Sequence, residues 1–222
     1  MTRTVLITGA TGGLGRKTAE AFAARGHSLV LLDRNQDRLD ALTRDLNLSE
    51  EHLFASVVDL RNGEAVRATA DAVAAKFGGV HALIHLVGGW VGGKTLLEGD
   101  AKDLELMLDQ HVRTTFYLFQ AFGPQLAKNK WGRVIIVSTP TVSDPIAKRG
   151  LYNAAKAAQE NLVITFDTEM KEHGVAANIL QVRAIDEDRT GKGTTPDEIV
   201  AAMLYLFSEE AGRVNKARIP IY

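Results

Sequence analysis

Cysteine is absent from the 222-residue sequence, which excludes disulfides, thiolate catalysis and Cys-ligated zinc together. Net charge is nearly absent too, 26 Lys and Arg standing against 27 Asp and Glu. A balanced chain carries no electrostatic footprint for a polyanion, so nucleic acid is not an expected partner. Long hydrophobic runs are missing: the N-terminal "TVLIT" meets glycines within a few residues, too short for a signal segment or a membrane span. No internal repeat, linker or low-complexity segment interrupts the chain, and no metal-ligand cluster stands out. These absences lead to the expectation of a cytoplasmic enzyme or binding protein for a small molecule, without a membrane partner. What is present is an ordinary globular balance, 45% hydrophobic and 24% charged residues, in a length that suits one domain over 1–222.

Apolar runs alternate with helix-period segments. Strands are expected at 4–8, 28–33, 53–60, 80–89, 132–139 and 175–182, with a possible seventh edge strand at 217–222. Helices are expected at 13–26, about 36–46, 63–78, about 103–129, 151–173 and 196–211. Strands alternating with helices imply a parallel sheet covered on both faces. The fold class is therefore a doubly wound α/β sheet of about seven strands.

The first strand runs into "TGATGGLG", which contains Gly9, Gly13 and Gly15 and opens a helix. Glycines let a backbone turn tightly against a pyrophosphate, and the helix N-terminus offers free N–H groups. Thr11, Gly12 and Leu14 complete the turn. Asp33 ends the second strand about twenty residues on, where a carboxylate accepts from ribose hydroxyls and repels a 2′-phosphate. NAD(H) is thus favoured as cofactor. Arg34, next to that acid, keeps NADP(H) possible, although Gly12 adds no second positive charge.

Farther along, "GLYNAAKAA" sets Tyr152 and Lys156 four residues apart, one turn apart on a helix face. An ammonium near a phenol favours phenolate. With a "TGxxxGxG" turn and a "YxxxK" pair on one chain, the sequence resembles the short-chain dehydrogenase/reductase family over nearly its whole length. The resemblance implies a Rossmann-type fold and hydride transfer between nicotinamide and a small carbonyl or alcohol. It implies Tyr152 as acid/base, and Lys156 as the group that lowers the tyrosine pKa and holds the nicotinamide ribose. Thr139, thirteen residues before the tyrosine, holds the position of the family's catalytic serine, with Ser138 as a neighbouring hydroxyl. The cofactor set extends to Asp59, matching the acid that meets adenine, with Leu60, and to Val87, Gly88 and Gly89. A homodimer or homotetramer built on the two long helices is also implied.

Departures from the family pattern are informative. His85 replaces the first asparagine after the fourth strand, and His111 replaces the asparagine of a water relay in the long middle helix. Histidine also carries protons near neutral pH, so His111 is a candidate relay. Val182-Arg183 replaces a Pro-Gly, and the polar loop "AIDEDRTGKGTT" is shorter than a usual substrate cover; it is expected to be mobile and to order on binding. "GGWVGG" places Trp90 where its indole can stack on a ring, and is similar to the loop of dihydropteridine reductases, making Trp90 a substrate-site candidate. The alternatives to a carbonyl reductase are therefore a dihydropteridine-type reductase using NADH and a non-catalytic dinucleotide-binding sensor or scaffold.

Overall fold

The computed structural model describes residues 2–222. At its centre lies β1 (Thr4–Thr8), every residue of which is buried. Its side chains alternate between two cores, as the strand period requires. Val5 and Ile7 pack with Phe22, Leu39, Met203 and Phe207, while Leu6 packs on the other face with Val66, Val73, Phe122 and Phe166.

Six further strands join in parallel: β2 (Ser28–Asp33), β3 (Leu53–Val57), β4 (Ala82–His85), β5 (Gly132–Ser138), β6 (Val175–Gln181) and β7 (Arg218–Pro220), in the order β3-β2-β1-β4-β5-β6-β7. The helices are α1 (Gly13–Ala23), α2 (Gln36–Leu46), α3 (Gly63–Phe77), α4 (Ala101–Leu108), α5 (Thr114–Lys128), α6 (Gly150–Met170) and α7 (Pro196–Phe207). Strand order reverses between β1 and β4, where Thr8 pairs with Leu32 on one side and His85 on the other. A crevice opens above the carboxyl ends of strands at such a switch point. This is the expected Rossmann-type, seven-stranded architecture.

Several boundaries differ from the sequence expectation. β3 stops at Val57, because the chain turns after Val58 bonds to the Asp33 carbonyl, and Asn62 then closes back on Asp59. β4 is four residues rather than ten, since the chain leaves the sheet at the crevice after Leu86. The helix expected over 103–129 is three pieces, with a π-turn at Asp109–Arg113 between α4 and α5. The Thr114 and Thr115 hydroxyls donate back to the carbonyls of Gln110 and His111, at 2.8 and 2.6 Å. β7 is a three-residue edge strand, a position where Pro220 is tolerated.

The buried face of α6 is unusually polar, and its two carboxylates are matched. Asp167 accepts from the Ala177 N–H at 2.7 Å, and the fully buried Glu160 accepts from Ser138 and Arg218, both at 2.6 Å. Glu160→Ala leaves the buried Ser138 hydroxyl without that acceptor, while the half-exposed Arg218 turns to water. The expected cost is about 2–4 kcal/mol, read as a lower urea midpoint at unchanged slope.

Candidate active site

The turn after β1 is shaped by glycine at two points. Gly9 sits at φ +67°, and a β-carbon on Gly15 would come within 2.1 Å of the Gly9 carbonyl oxygen. α1 then starts at Gly13 with no side chain capping its first N–H groups, the arrangement that receives an anion at a helix N-terminus. Thr11 N–H donates to Asp33 at 3.0 Å, and the other Asp33 oxygen accepts from Arg34 N–H at 2.7 Å. A cavity of about 360 Å³ beside this acid is lined by Arg34, Arg38, Asp59, Leu60, Arg61 and Val87. Asp59 lines this cavity half-exposed, and the Arg61 guanidinium engages both its oxygens and holds its carboxyl at about 2.

A second cleft of about 370 Å³ joins the glycine turn, including Leu14, to Thr139, Tyr152, Lys156, His111, Gly88, Gly89 and Trp90. Thr139 follows β5 and lies 3.1 Å from the Thr141 hydroxyl. The Thr141 proton goes to Asn153 Oδ1 at 2.7 Å, so Thr139 donates to Thr141, and a substrate oxygen must compete for that proton. Ser138 does not share this role: its hydroxyl donates into the core to Glu160, which corrects the expectation of a second catalytic hydroxyl.

Lys156 is buried, its ammonium donating to the Val137 carbonyl and Gln159 Oε1, both at 2.8 Å. An ammonium has three N–H donors, so one remains for the cleft. Burial lowers this lysine to about 8. Tyr152 is raised by its own burial, and the opposing charge is Arg149. The expectation that Lys156 lowers the tyrosine is thus corrected here, because burial dominates and the ammonium is turned to Val137 and Gln159.

The histidines are held neutral. His85 hydrogen-bonds the hydroxyls of Thr8 and Thr114, at 2.7 and 3.2 Å, and burial lowers it to about 3. His111 lies in the π-turn, its Nε2–H donating to the Gly89 carbonyl at 2.9 Å, with its ring edge-on to Tyr152 at 5.6 Å. Burial lowers it also to about 3. A proton relay through imidazolium is therefore not available near neutral pH; the neutral ring offers a buried, unpartnered Nδ1 instead.

Trp90 is 58% exposed at the cleft rim and folds against Gly92, where a β-carbon would meet Cζ2 at 2.4 Å. The loop after β6, expected to be mobile, is internally stitched. Its Asp186 carboxylate accepts from Thr190 N–H, Thr190 Oγ1 and Gly191 N–H at 2.7–3.0 Å, and Thr194 N–H donates to Ala184. The next residue, Glu187, is one that sequence reasoning missed. Its carboxylate rests over the glycine turn, so close that a β-carbon on Gly13 would meet it at 2.4 Å. A pyrophosphate at α1 must displace it. Glu187→Ala is therefore expected to tighten NADH binding about threefold to tenfold by removing like-charge repulsion, measured by fluorescence titration. Gln159, Thr141 and Asn153 were also missed, although Gln159 lies one turn from Lys156 and spacing could have found it.

The crevice fits a dinucleotide on this structure's own terms: Gly15 has no room for a side chain, and the buried Gln110 Oε1 and His111 Nδ1 beside it lack partners. A glycine turn at a topological switch point with a Tyr–Lys pair across the cleft defines the class of doubly wound dinucleotide-binding oxidoreductases. The chain belongs to the short chain dehydrogenase family, whose profile matches residues 3–197. It is 25% identical to an uncharacterized oxidoreductase of Staphylococcus saprophyticus, over 99% of this chain and 96% of that one. It is 26% identical to the NADP-dependent 3-hydroxy acid dehydrogenase YdfG of Escherichia coli K12, over 80% of this chain and 70% of that one. Among solved structures, a short chain dehydrogenase from Bacillus anthracis superposes with a TM-score of 0.90 at 22% identity, covering 99% of this chain and 94% of that one. An oxidoreductase from Burkholderia thailandensis superposes with a TM-score of 0.87 at 25% identity, covering 100% and 91%. The chain is thus an oxidoreductase of a family that binds nicotinamide cofactors. Among the described residues no helix is long and apolar enough to cross a membrane.

Proposed function

We propose that this protein reduces a small carbonyl compound, or oxidises the matching alcohol, with Tyr152, Lys156 and Thr139 as its working groups. The observation that carries the reading is their common cleft with Gly12, Gly13 and Gly15. When bound, the reduced nicotinamide supplies a hydride. Tyr152 donates its phenolic proton to the carbonyl oxygen, and Thr139 gives that oxygen a hydrogen bond in place of the one to Thr141. Lys156 directs its remaining N–H to a ribose hydroxyl. Gly88 and Gly89 border the nicotinamide side, and neutral His111 packs against the Tyr152 ring and fixes its pose.

NAD(H) is the proposed cofactor, because Asp33 is poised at the ribose end of the crevice. The second reading, NADP(H), is favoured by Arg34 and Arg38 lining the same cavity. Parallel titrations decide between them. The proposal expects NADH to bind at least about tenfold tighter than NADPH, and the reverse order assigns the arginines to a 2′-phosphate. A quinonoid dihydropterin is the alternative substrate, motivated by the exposed indole of Trp90 at the cleft rim. Assembly through the α4–α5 face is proposed as well, because Leu106, Leu108 and Phe116 are exposed there; light scattering reads the subunit count.

A further inference from the structure

We infer that the substrate carries a carboxylate, gripped between Arg149 and Arg183 beside the Thr139 hydroxyl. This rests on the carbonyl-reductase reading above and names its substrate class.

Next to the cleft that holds Tyr152 and Lys156 lies another, of about 410 Å³, bordered by Pro140, Asp144 and Tyr222. Thr139, Arg149 and Arg183 line both. The boundary between the two spaces is therefore formed by one threonine and two arginines. A carbonyl placed at Thr139 has both arginines at its flank.

Local structure holds each arginine in place. Arg149 precedes α6, and its carbonyl accepts the Asn153 N–H at 2.9 Å. Its charge opposes, without overcoming, the effect of burial on the Tyr152 phenol. Arg183 follows β6, whose end is tied down by the bond from Val182 N–H to the Ser138 carbonyl. Its guanidinium carbon lies 4.7 Å from the centre of the Tyr222 ring.

Neither guanidinium has an ion-pair partner among the described residues; other arginines, Arg25, Arg44 and Arg67 among them, share that state, and what sets these two apart is that both line the space at Thr139. Two acidic side chains border the region. Asp144 lines only the outer space, and Glu187 lines only the inner one, where it rests over Gly13. With Lys156 in the inner space as well, positive charge exceeds negative on the Tyr152 side of Thr139. A neutral ketone makes no use of two unmatched guanidinium forks, whereas a carboxylate accepts from each. The reaction so assigned is oxo acid plus NAD(P)H plus a proton giving hydroxy acid plus NAD(P)⁺. The carbonyl carbon takes the hydride and the oxygen takes the Tyr152 proton.

The test uses the full chain with 3-oxobutanoate and its neutral methyl ester as paired probes. Turnover is followed by loss of reduced-nicotinamide absorbance with whichever cofactor binds tighter. Binding of 3-hydroxybutanoate to the protein loaded with reduced cofactor is followed by calorimetry. The expected result is a kcat/KM for the acid about thirtyfold or more above the ester, since a charge-assisted fork contributes at that scale. Arg149→Gln and Arg183→Gln are each expected to lower the acid-to-ester ratio about tenfold or more, chiefly through KM, and to weaken 3-hydroxybutanoate binding in parallel. The matching Lys variants recover part of both effects. Equal turnover of acid and ester, no acid binding, or binding indifferent to both arginines overturns the inference while leaving a carbonyl reductase intact. Acid binding that depends on both arginines without nicotinamide oxidation overturns the reductase reading and leaves the anion subsite standing.

Discussion

Tyr152→Phe is expected to lower turnover about a thousandfold or more while leaving NADH binding nearly unchanged, because only the transferable proton is removed. The ring itself stays, with its edge-on packing against His111 at 5.6 Å, so the fold loses no apolar contact. Stopped-flow turnover and a fluorescence titration on one preparation separate the two quantities. Turnover within tenfold of wild type would remove Tyr152 from the proton path. The direction of its shift adds a pH signature. Burial raises the phenol above its ordinary value, so it stays protonated through neutral pH and reduction is flat there. Alcohol oxidation needs the phenolate, so its rate climbs as pH rises into the alkaline range.

Gly15→Ala is expected to weaken NADH binding about a hundredfold or more and to destabilise the chain. The added β-carbon would sit 2.1 Å from the Gly9 carbonyl oxygen and 2.9 Å from Ala10 backbone atoms. Backbone cannot rotate away as a flexible side chain can, so the turn itself must open. The same change at Gly13 first meets the Glu187 side chain, which can swing into solvent, and is expected to be milder. Comparing the two by calorimetric NADH titration and thermal unfolding separates damage to the turn from displacement of Glu187. Equal effects would contradict the role assigned to Gly15.

The sheet was legible because its strands read as short apolar runs between helix-period segments, and because "TGATGGLG" leaves few other structural uses for so many glycines. β1 and β2 matched residue for residue. β3 and β4 read too long, since apolar residues that line a crevice resemble those that continue a strand. The π-turn at Asp109–Arg113 was not read from the periodicity, because α4 has only eight residues, about two turns, in which to set a phase before it changes. In the site, residue types pointed to the right part of the fold, but hydrogen-bond allegiance did not follow from them. Ser138 ends β5 and Thr139 follows it; both border the cleft, but the Ser138 hydroxyl goes to Glu160 and the Thr139 hydroxyl to Thr141. The neutral state of His111 depends on burial, and the ion pair that claims Asp59 depends on where the Arg61 side chain folds; neither can be seen along the chain. Glu187 was hidden for a similar reason, because a polar loop gives no sign that one carboxylate returns to the glycine turn.

The central claim is that this cleft turns over a carbonyl with a nicotinamide cofactor, and one assay addresses it most directly. Purified protein is mixed with NADH, with NADPH in parallel, across ketones, aldehydes, oxo acids and quinonoid dihydropterin, and oxidation of the reduced nicotinamide is followed by absorbance. Turnover of a carbonyl substrate that disappears in Tyr152→Phe is the predicted result. Tight NADH binding with no oxidation by any member of the panel would contradict it and point to a dinucleotide-binding sensor.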